Sequence, residues 1–322
     1  GLGDVYKRQI LVIIEHKDGK MHRMSREAIA GAQKIGGKIA ALVIGKDHEE
    51  VVNELLNYEI EKTIVVDHNL VPAYNADGYK EIIKQVFDFI DLKFIIAGHT
   101  YQSRDFMPRI SAAFDIPMLA DLIEVENDKY VKQIMNSKLY ALITSNQDKA
   151  ILTFQSASFS EEDIIKGSNS LEKFDVTLDP SSIKSKAEDP FQESSSEVDL
   201  ESAEFIVSVG RGIEKEENKS IAFDLAQILG AEVSASRPVV DSGWLPSARQ
   251  VGSSGSTVSP KLYFSLGVSG AIQHVVGMKG SKNILAINKD RDAPIFEISD
   301  YAVVGDVLEI VPKLVNKLKE LE

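Results

Sequence analysis

The stretch "KLYFSLGVSGAIQHVVGM", residues 261–278, decides the fold of the second half of the chain. It begins as an apolar run typical of a buried strand, passes through two glycines, and continues with apolar spacing typical of a helix. Strands that lead through glycines into helices are the units of parallel α/β sheets, and ligands bind at the carboxyl ends of such strands. The stretch therefore predicts a parallel sheet with a ligand site at this edge.

The helix that follows this strand is expected to carry part of the site. We predict that Ser269 caps it, so that its first backbone amides could hold a phosphate. At helical spacing Gly270, His274 and Gly277 share one face, where a flat ligand could reach the backbone and meet the imidazole. A lone histidine on a helix is also typical of a structural core, but the flanking glycines favour the ligand surface.

Composition excludes several classes of function. The 322 residues are 43% hydrophobic and carry a net charge of −13, which disfavours general binding to nucleic acids or anionic membranes. Cysteine is absent, which rules out disulfides, thiol catalysis and thiolate metal sites. No apolar run approaches the roughly 18 residues of a membrane span, and no signal peptide is recognisable. We expect a soluble protein in a reducing compartment, without membrane insertion.

The pattern of the whole chain predicts two α/β domains. Apolar runs alternate with helical patterns from Ile10 onward, beginning with "ILVIIE" and a helix capped by Ser25. The run "IFEIS" at 295–299 is expected to be one of the last strands. The predicted divisions are a leader outside the fold at 1–9, an N-terminal α/β domain at 10–185, a linker rich in Ser, Pro and acidic residues at 186–203, and a C-terminal domain at 204–322.

Three other segments follow strands and could contact a ligand. Arg211 lies in "VGRG", where it could contact phosphate or be an ordinary exposed arginine. Arg237 follows Ser236, where its permanent charge could lie beside a ring or pair with Asp241. The loop "QVGSSGST", 250–257, could hold phosphate or a heterocycle through its amides and hydroxyls, or be only a turn.

Other well-known site motifs are missing. The sequence has no complete GxGxxG, no P-loop, no HExxH, no GxSxG and no metal-ligand spacing. The residues by themselves indicate a nucleotide-containing cofactor in the C-terminal domain. They imply no catalytic residue and no metal ligand.

Longer segments of the second half resemble a known family. "ASRPVVDSGWLPSARQVGSSGS" and "GVSGAIQHVVGMKGSKNILAINKD" are similar to the C-terminal domain of the electron transfer flavoprotein alpha subunit. The similarity covers this domain almost continuously and extends more loosely over the first, including "AIAGAQKIGGKIAALVIG". It implies a nucleotide-hydrolase-like α/β domain followed by a Rossmann-like FAD-binding domain with a parallel sheet.

The resemblance also implies an activity and partners. It implies a heterodimer with an electron transfer flavoprotein beta subunit, with one FAD held by this chain and AMP in the partner. Such a protein is an electron carrier without substrate turnover of its own. It passes single electrons from acyl-CoA or related flavoprotein dehydrogenases, as in fatty acid beta-oxidation, to a membrane quinone oxidoreductase. The alternatives are an FAD-dependent oxidoreductase and a subunit of an electron-bifurcating complex.

The resemblance assigns the cofactor contacts residue by residue. Arg237 is expected against the flavin ring, Ser254 at flavin N5 and His274 at the pyrimidine O2. The remaining contacts to the ring, the linking chain and the pyrophosphate–adenosine end are implied at Arg211, Ser236, Val251, Gly252, Ser253, Ser269, Gly270, Ala271, Ile272, Gln273, Asn288, Asp306 and Val307.

The glycine–serine loop departs from the usual family pattern. The family commonly has "QVGQTGK", whereas this chain has "QVGSSGS" at 250–256. Ser254 keeps the hydroxyl of the usual threonine, with a less restricted rotamer. Ser253 replaces a glutamine and Ser256 a lysine, which removes a nearby positive charge. We therefore expect a flavin potential that differs from the family norm.

Overall fold

The computed structural model of the chain describes residues 9–126, 129–135, 139–185, 198–201 and 203–320. It divides into two compact units near residue 191. The predicted leader lies outside the described residues except for Gln9, which opens the first strand one residue earlier than predicted. The predicted linker also lies outside them, except for 198–201 and 203.

The first unit contains a nine-stranded mixed sheet and a separate two-stranded hairpin. Its strands are β1 (Gln9–Ile14), β2 (His16–Lys17), β3 (Lys20–Met21), β4 (Lys38–Ile44), β5 (Lys62–Val66), β6 (Phe94–Gly98), β7 (Met118–Glu126), β8 (Lys129–Ile134), β9 (Leu139–Ile143), β10 (Ala150–Phe154) and β11 (Ser170–Lys173). Its helices are α1 (Arg23–Ile35), α2 (Glu49–Leu55), α3 (Ala76–Phe89) and α4 (Tyr101–Phe114). The sheet order is β11-β5-β4-β1-β6-β10-β7-β8-β9, parallel as far as β7 and antiparallel beyond it, while β2 and β3 form a separate hairpin.

Strand β1 shows why this sheet is covered on both faces. Its residues alternate between two apolar clusters, with Val12 and Ile14 in one and Leu11 and Ile13 in the other. A strand buried on both sides reads as a continuous apolar run, which is what "ILVII" is. The α/β alternation predicted for this half is confirmed.

The first helix begins earlier than predicted. Helix α1 starts at Arg23, and its cap is His22, whose Nδ1 accepts a hydrogen bond from the Met24 amide at 3.2 Å. Ser25 does not cap the helix, because its hydroxyl accepts from the Glu15 amide at 2.8 Å and donates to the Glu15 carbonyl. The serine therefore anchors the chain just after β1.

The far edge of this sheet is apolar and exposed. Strand β9 is the last in the sheet order, and Leu139, Tyr140 and Leu142 on it are each more than half exposed.

In the part of the chain that the structure describes, no helix is both long enough and apolar enough to cross a bilayer.

The second unit is a five-stranded, fully parallel sheet. Its strands are β12 (Phe205–Val209), β13 (Glu232–Ala235), β14 (Leu262–Leu266), β15 (Ile284–Asn288) and β16 (Tyr301–Val304). Its helices are α5 (Ser220–Leu229), α6 (Arg237–Asp241), α7 (Ile272–Val275) and α8 (Val307–Lys319). The order β13-β12-β14-β15-β16 reverses direction between β12 and β14, and ligands bind beside such a reversal. The predicted parallel sheet is confirmed.

The predicted strand at 295–299 is wrong. This segment is a 3₁₀ helix, Pro294–Ile298, and the strand beside β15 is β16, which follows it. Proline at the first helical position has no amide hydrogen to lose there, and its fixed φ favours a helical start. The apolar spacing of the segment does not separate these possibilities.

Candidate cofactor site

A cavity of about 550 Å³ opens where β12, β13, β14 and β15 end. This volume lies in the range of about 300–1,000 Å³ that is usual for small-molecule and cofactor sites. Most of the predicted positions line it: Arg211, Ser236, Arg237, Val251, Gly252, Ser254, Ser269, Ala271, Gln273, His274 and Asn288. Residues from four strand ends are thus brought to one place, as expected for a parallel sheet.

Some predicted positions do not line this cavity. They are Ser253, Gly270, Ile272, Asp306 and Val307. Asp306 caps α8, where its Oδ1 accepts from the Leu308 amide at 2.8 Å, and Val307 is buried in the core beneath that helix. The lining also includes residues that the sequence reasoning missed: Gly212, Pro238, Gly267, Val268, Asp290, Ala293 and Pro294. Most of them lie within a few residues of a strand end, and that position is the signal that could have found them.

Two arginines give the cavity its positive charge. Arg211 opens a short 3₁₀ helix directly after β12, and Arg237 is the first residue of α6. The alternative of an ion pair is also realised, because Arg237 Nε lies 3.4 Å from Asp241 Oδ2, with both side chains largely exposed. The lining carries these two cations against one carboxylate, that of Asp290, which suits an anionic group.

The glycine–serine loop is tied to the protein by its own amides. The Val251 amide donates to the Ala235 carbonyl at 3.0 Å, and the Ser253 amide donates to the Gln273 carbonyl at 2.7 Å. The amides of Gly252, Gly255 and Ser256 are bonded within the loop itself. The expectation that these amides could cradle a phosphate is therefore wrong for most of them, because the protein already uses them.

The loop presents a hydroxyl to the cavity instead. Ser254 lines the cavity, and its Oγ accepts a hydrogen bond from Gln250 Nε2 at 2.9 Å. Since a serine hydroxyl can accept and donate at once, its own hydrogen stays available to an acceptor in the cavity.

Gly270 lies before the helix and not in it. Its φ is +85°, and a Cβ there would lie 2.2 Å from the Ile295 amide nitrogen. A residue with a positive φ cannot lie inside a right-handed helix, so Gly270 is outside α7. The helix has four residues and begins after Ala271. Ser269 does not cap it, and the Ser269 carbonyl instead accepts from the Ile295 amide at 3.1 Å. The predicted Ser269 cap is wrong, and phosphate binding by the amides of this segment stays a prediction.

Gly277 also serves the packing of the chain. A Cβ on Gly277 would lie 2.4 Å from the Gly252 amide nitrogen, so the absent side chain lets the glycine–serine loop rest there. Gly270 and Gly277 both lie outside α7. The prediction that they share one helix face with His274 is therefore wrong. Of these three residues, His274 lines the cavity.

His274 is the buried polar group of the site. Its side chain is 6% exposed, and its Nε2 lies 2.9 Å from the Tyr263 hydroxyl. Its Nδ1 is buried and lies near the backbone of Val251. Burial lowers the pKa of His274 to about 4, and the backbone of Val251 opposes this only in part. The imidazole is therefore neutral at pH 7, and it adds no positive charge to those of the two arginines.

These features fit FAD. The positive charge of Arg211 suits a pyrophosphate, and the charge of Arg237, the Ser254 hydroxyl and the His274 imidazole suit the polar edge of a flavin. Within the described ranges, no three His, Asp or Glu side chains gather in a group that could hold a metal ion.

Comparisons with known proteins agree with this assignment. A model described as "Electron transfer flavoprotein domain" matches residues 10–179, and one described as "Electron transfer flavoprotein FAD-binding domain" matches residues 199–279. The chain is 33% identical to "Electron transfer flavoprotein subunit alpha" of Bacillus subtilis over 322 residues, which is 98% of each chain. It is 34% identical over 354 residues to "Acryloyl-CoA reductase electron transfer subunit beta" of Anaerotignum propionicum, covering 97% of this chain and 96% of the relative.

Proposed function

The chain belongs to the electron transfer flavoprotein alpha-subunit family, and from that premise we propose that it carries single electrons from flavoprotein dehydrogenases to a membrane quinone oxidoreductase. Its second unit is the FAD-binding domain of this family. The observation that carries the proposal is the cavity at the parallel strand ends, where two arginines, a serine hydroxyl and the His274 imidazole converge. Bound FAD supplies the redox chemistry, accepting and releasing electrons at its isoalloxazine ring.

We propose that the chain's own residues orient the flavin and set its charge environment. Arg237 places a permanent positive charge beside the ring, and its exposed pairing with Asp241 is weak enough to leave that charge effective. Ser254 would donate its hydroxyl hydrogen at N5, and the neutral imidazole of His274 would contact O2. Arg211 and Asn288, at the ends of β12 and β15, would hold the pyrophosphate and adenosine part.

The family implies a partner subunit, and we propose its role. An electron transfer flavoprotein beta subunit completes the heterodimer and holds AMP, and the pair works in the bacterial cytoplasm in fatty acid beta-oxidation. The relatives that support this are bacterial alpha subunits of electron transfer flavoproteins. We propose domain limits of 10–185 and 204–322, with 186–203 as the linker.

A second candidate rests on one relative. The similarity to an electron transfer subunit of acryloyl-CoA reductase favours membership in a reductase complex, including an electron-bifurcating one. The two candidates differ in the donor: a carrier takes electrons from acyl-CoA dehydrogenases, whereas a bifurcating complex takes them from a nicotinamide. The cavity itself is common to both.

The test is to co-express the chain with an electron transfer flavoprotein beta subunit and purify the complex. We expect one FAD per heterodimer, seen as flavin absorption bands and measured after release. Reduction by an acyl-CoA dehydrogenase with its substrate supports the carrier, and reduction by NADH supports the second candidate. A complex that neither carries FAD nor takes it up from solution overturns both.

A further inference from the structure

Behind His274 lies a set of buried hydroxyls that the proposed function does not use. Ser208, Ser234, Ser265 and Tyr263 are each 0% exposed, and we call them the hydroxyl cluster. Ser208 on β12 is in register with Ser234 on β13 and with Ser265 on β14. Residues in register point to the same face of a sheet, and Tyr263 shares that face because it lies two residues before Ser265. The hydroxyl cluster is therefore a polar row across the three neighbouring strands β13, β12 and β14.

The serine hydroxyls of this row are buried and have few hydrogen-bond partners. The hydroxyl of Ser265 has none among the described residues. An unsatisfied buried hydroxyl costs about 1–3 kcal/mol, so a polar row in this place calls for a physical reason. The adjacent polar group is the Tyr263 hydroxyl. Burial raises the pKa of Tyr263, and the hydroxyls of Ser208 and Ser234 oppose that rise in part, which places them close to it.

The contact between Tyr263 and His274 has a preferred direction. The two atoms, Tyr263 Oη and His274 Nε2, are 2.9 Å apart in a buried setting. A phenol is a better donor than an aliphatic hydroxyl, and an imine nitrogen of imidazole is a better acceptor than a phenol oxygen. The hydrogen therefore belongs to Tyr263, and Nε2 accepts it. In a neutral imidazole the other nitrogen must then carry the ring hydrogen.

We propose that Tyr263 is a positioning residue that holds neutral His274 with its hydrogen on Nδ1, the serine hydroxyls supporting the tyrosine from behind. The side chain lines the cavity, and its buried Nδ1 lies near the backbone of Val251. In this tautomer Nδ1 can only donate, so it is directed to the backbone of Val251 in the glycine–serine loop. A contact of the imidazole with FAD rests on the proposed function, whereas the tautomer itself does not.

The direct test is nitrogen NMR of the FAD-loaded heterodimer with ¹⁵N-labelled histidine in this chain, and again after FAD removal. The chain has six histidines, and the His274→Asn spectrum identifies the signals of His274. A ring nitrogen that carries hydrogen resonates far from one that does not, so the tautomer can be assigned. We expect hydrogen on Nδ1 and a bare, hydrogen-bonded Nε2. Hydrogen on Nε2 overturns the proposal, whether or not FAD is bound.

A pair of matched variants tests the role of Tyr263. Tyr263→Phe removes the one donor to Nε2, so we expect a mixture of tautomers and FAD binding weakened about fivefold, the value of one hydrogen bond. Tyr79→Phe removes the same atom from another nearly fully buried tyrosine in the first unit, and we expect it to change neither.

The outcomes of this pair separate the two proposals. An unchanged tautomer in Tyr263→Phe overturns the positioning role. If Tyr263→Phe does not fold, the wild-type spectrum still shows which ring nitrogen of His274 carries the hydrogen. A wild-type complex that binds no FAD overturns the proposed function, while the tautomer of His274 remains measurable and is judged by itself.

Discussion

The burial that brings His274 to the cavity wall also makes its charge depend on folding. In the unfolded chain its pKa has the ordinary value of 6.5, and in the folded chain burial lowers the pKa to about 4. Between these values the unfolded chain binds a proton that the folded chain does not. The contribution of His274 to stability is therefore fully present above pH 6.5 and is lost as the pH falls toward 4.

We expect the second unit to lose up to about 3 kcal/mol of unfolding free energy through His274 between pH 7 and pH 4. The measurement is urea unfolding followed by the fluorescence of Trp244, the chain's single tryptophan, which packs on the core of that unit. His274→Leu has no group to titrate, so its curve against pH should be flatter by this amount. Parallel curves for the two proteins would contradict the assigned pKa.

Arg237 should matter for the cofactor and hardly for stability. Its ion pair with Asp241 is exposed, so we expect Arg237→Ala to change the free energy of unfolding by less than about 0.5 kcal/mol. We also expect a lower one-electron potential of the bound flavin, because a positive charge beside the ring is lost. Lys261→Ala is the matched control, since it removes an exposed pair with Glu204 away from the cavity. A potential equal to that of the control would remove Arg237 from this role.

At the scale of elements, the sequence predicted correctly which strands lead to the site. It did not predict the conformation of the segments that follow these strands. The run "LYFSL" is apolar enough to identify β14 without any neighbour. The start of α7 depends on Gly270 passing close to Ile295, which lies far along the chain. Local spacing cannot report such a contact. The same holds for Ser25, whose hydroxyl is bound to Glu15 instead of capping α1.

The contact between Gly277 and Gly252 gives a prediction for the glycine–serine loop. A methyl group on Gly277 would meet backbone at 2.4 Å, so we expect Gly277→Ala to displace the loop, cost about 1–3 kcal/mol and weaken FAD binding. Urea unfolding and FAD titration measure the two effects.

Gly243→Ala is the control for this variant. Its φ of +75° makes an alanine strained by about 1–2 kcal/mol, but nothing lies within 4 Å of the new methyl group. We expect destabilisation without a change in FAD affinity. If both variants bind FAD as the wild type does, the loop does not depend on Gly277.

At the scale of the whole molecule, the two units have separate cores and different sheets. The sequence predicted both as α/β, because strands and helices alternate in each. It did not predict that the first sheet continues into the antiparallel strands β8 and β9. The parallel pairings and the antiparallel hairpins are both built from short apolar runs, and only the neighbours of each run distinguish them.

The proposed boundaries can be tested by limited proteolysis. The segment 186–203 contains Glu188, Glu193 and Glu197 among serines and a proline, a composition typical of linkers. We expect a glutamate-specific protease to cut there first and to yield two stable fragments, with FAD retained by the C-terminal one. Mass spectrometry identifies the cut. A first cut inside 10–185 or 204–322 would contradict these boundaries.

The exposed edge strand β9 makes the chain prone to self-association. A sheet edge offers unpaired backbone groups, and the leucines and tyrosine on β9 add apolar surface to them. Natural sheets usually place lysine or proline on such strands to prevent association, and "LYALI" contains neither. The chain should therefore form turbid, strand-paired aggregates at high concentration. We expect Leu142→Lys to prevent this turbidity at the same concentration.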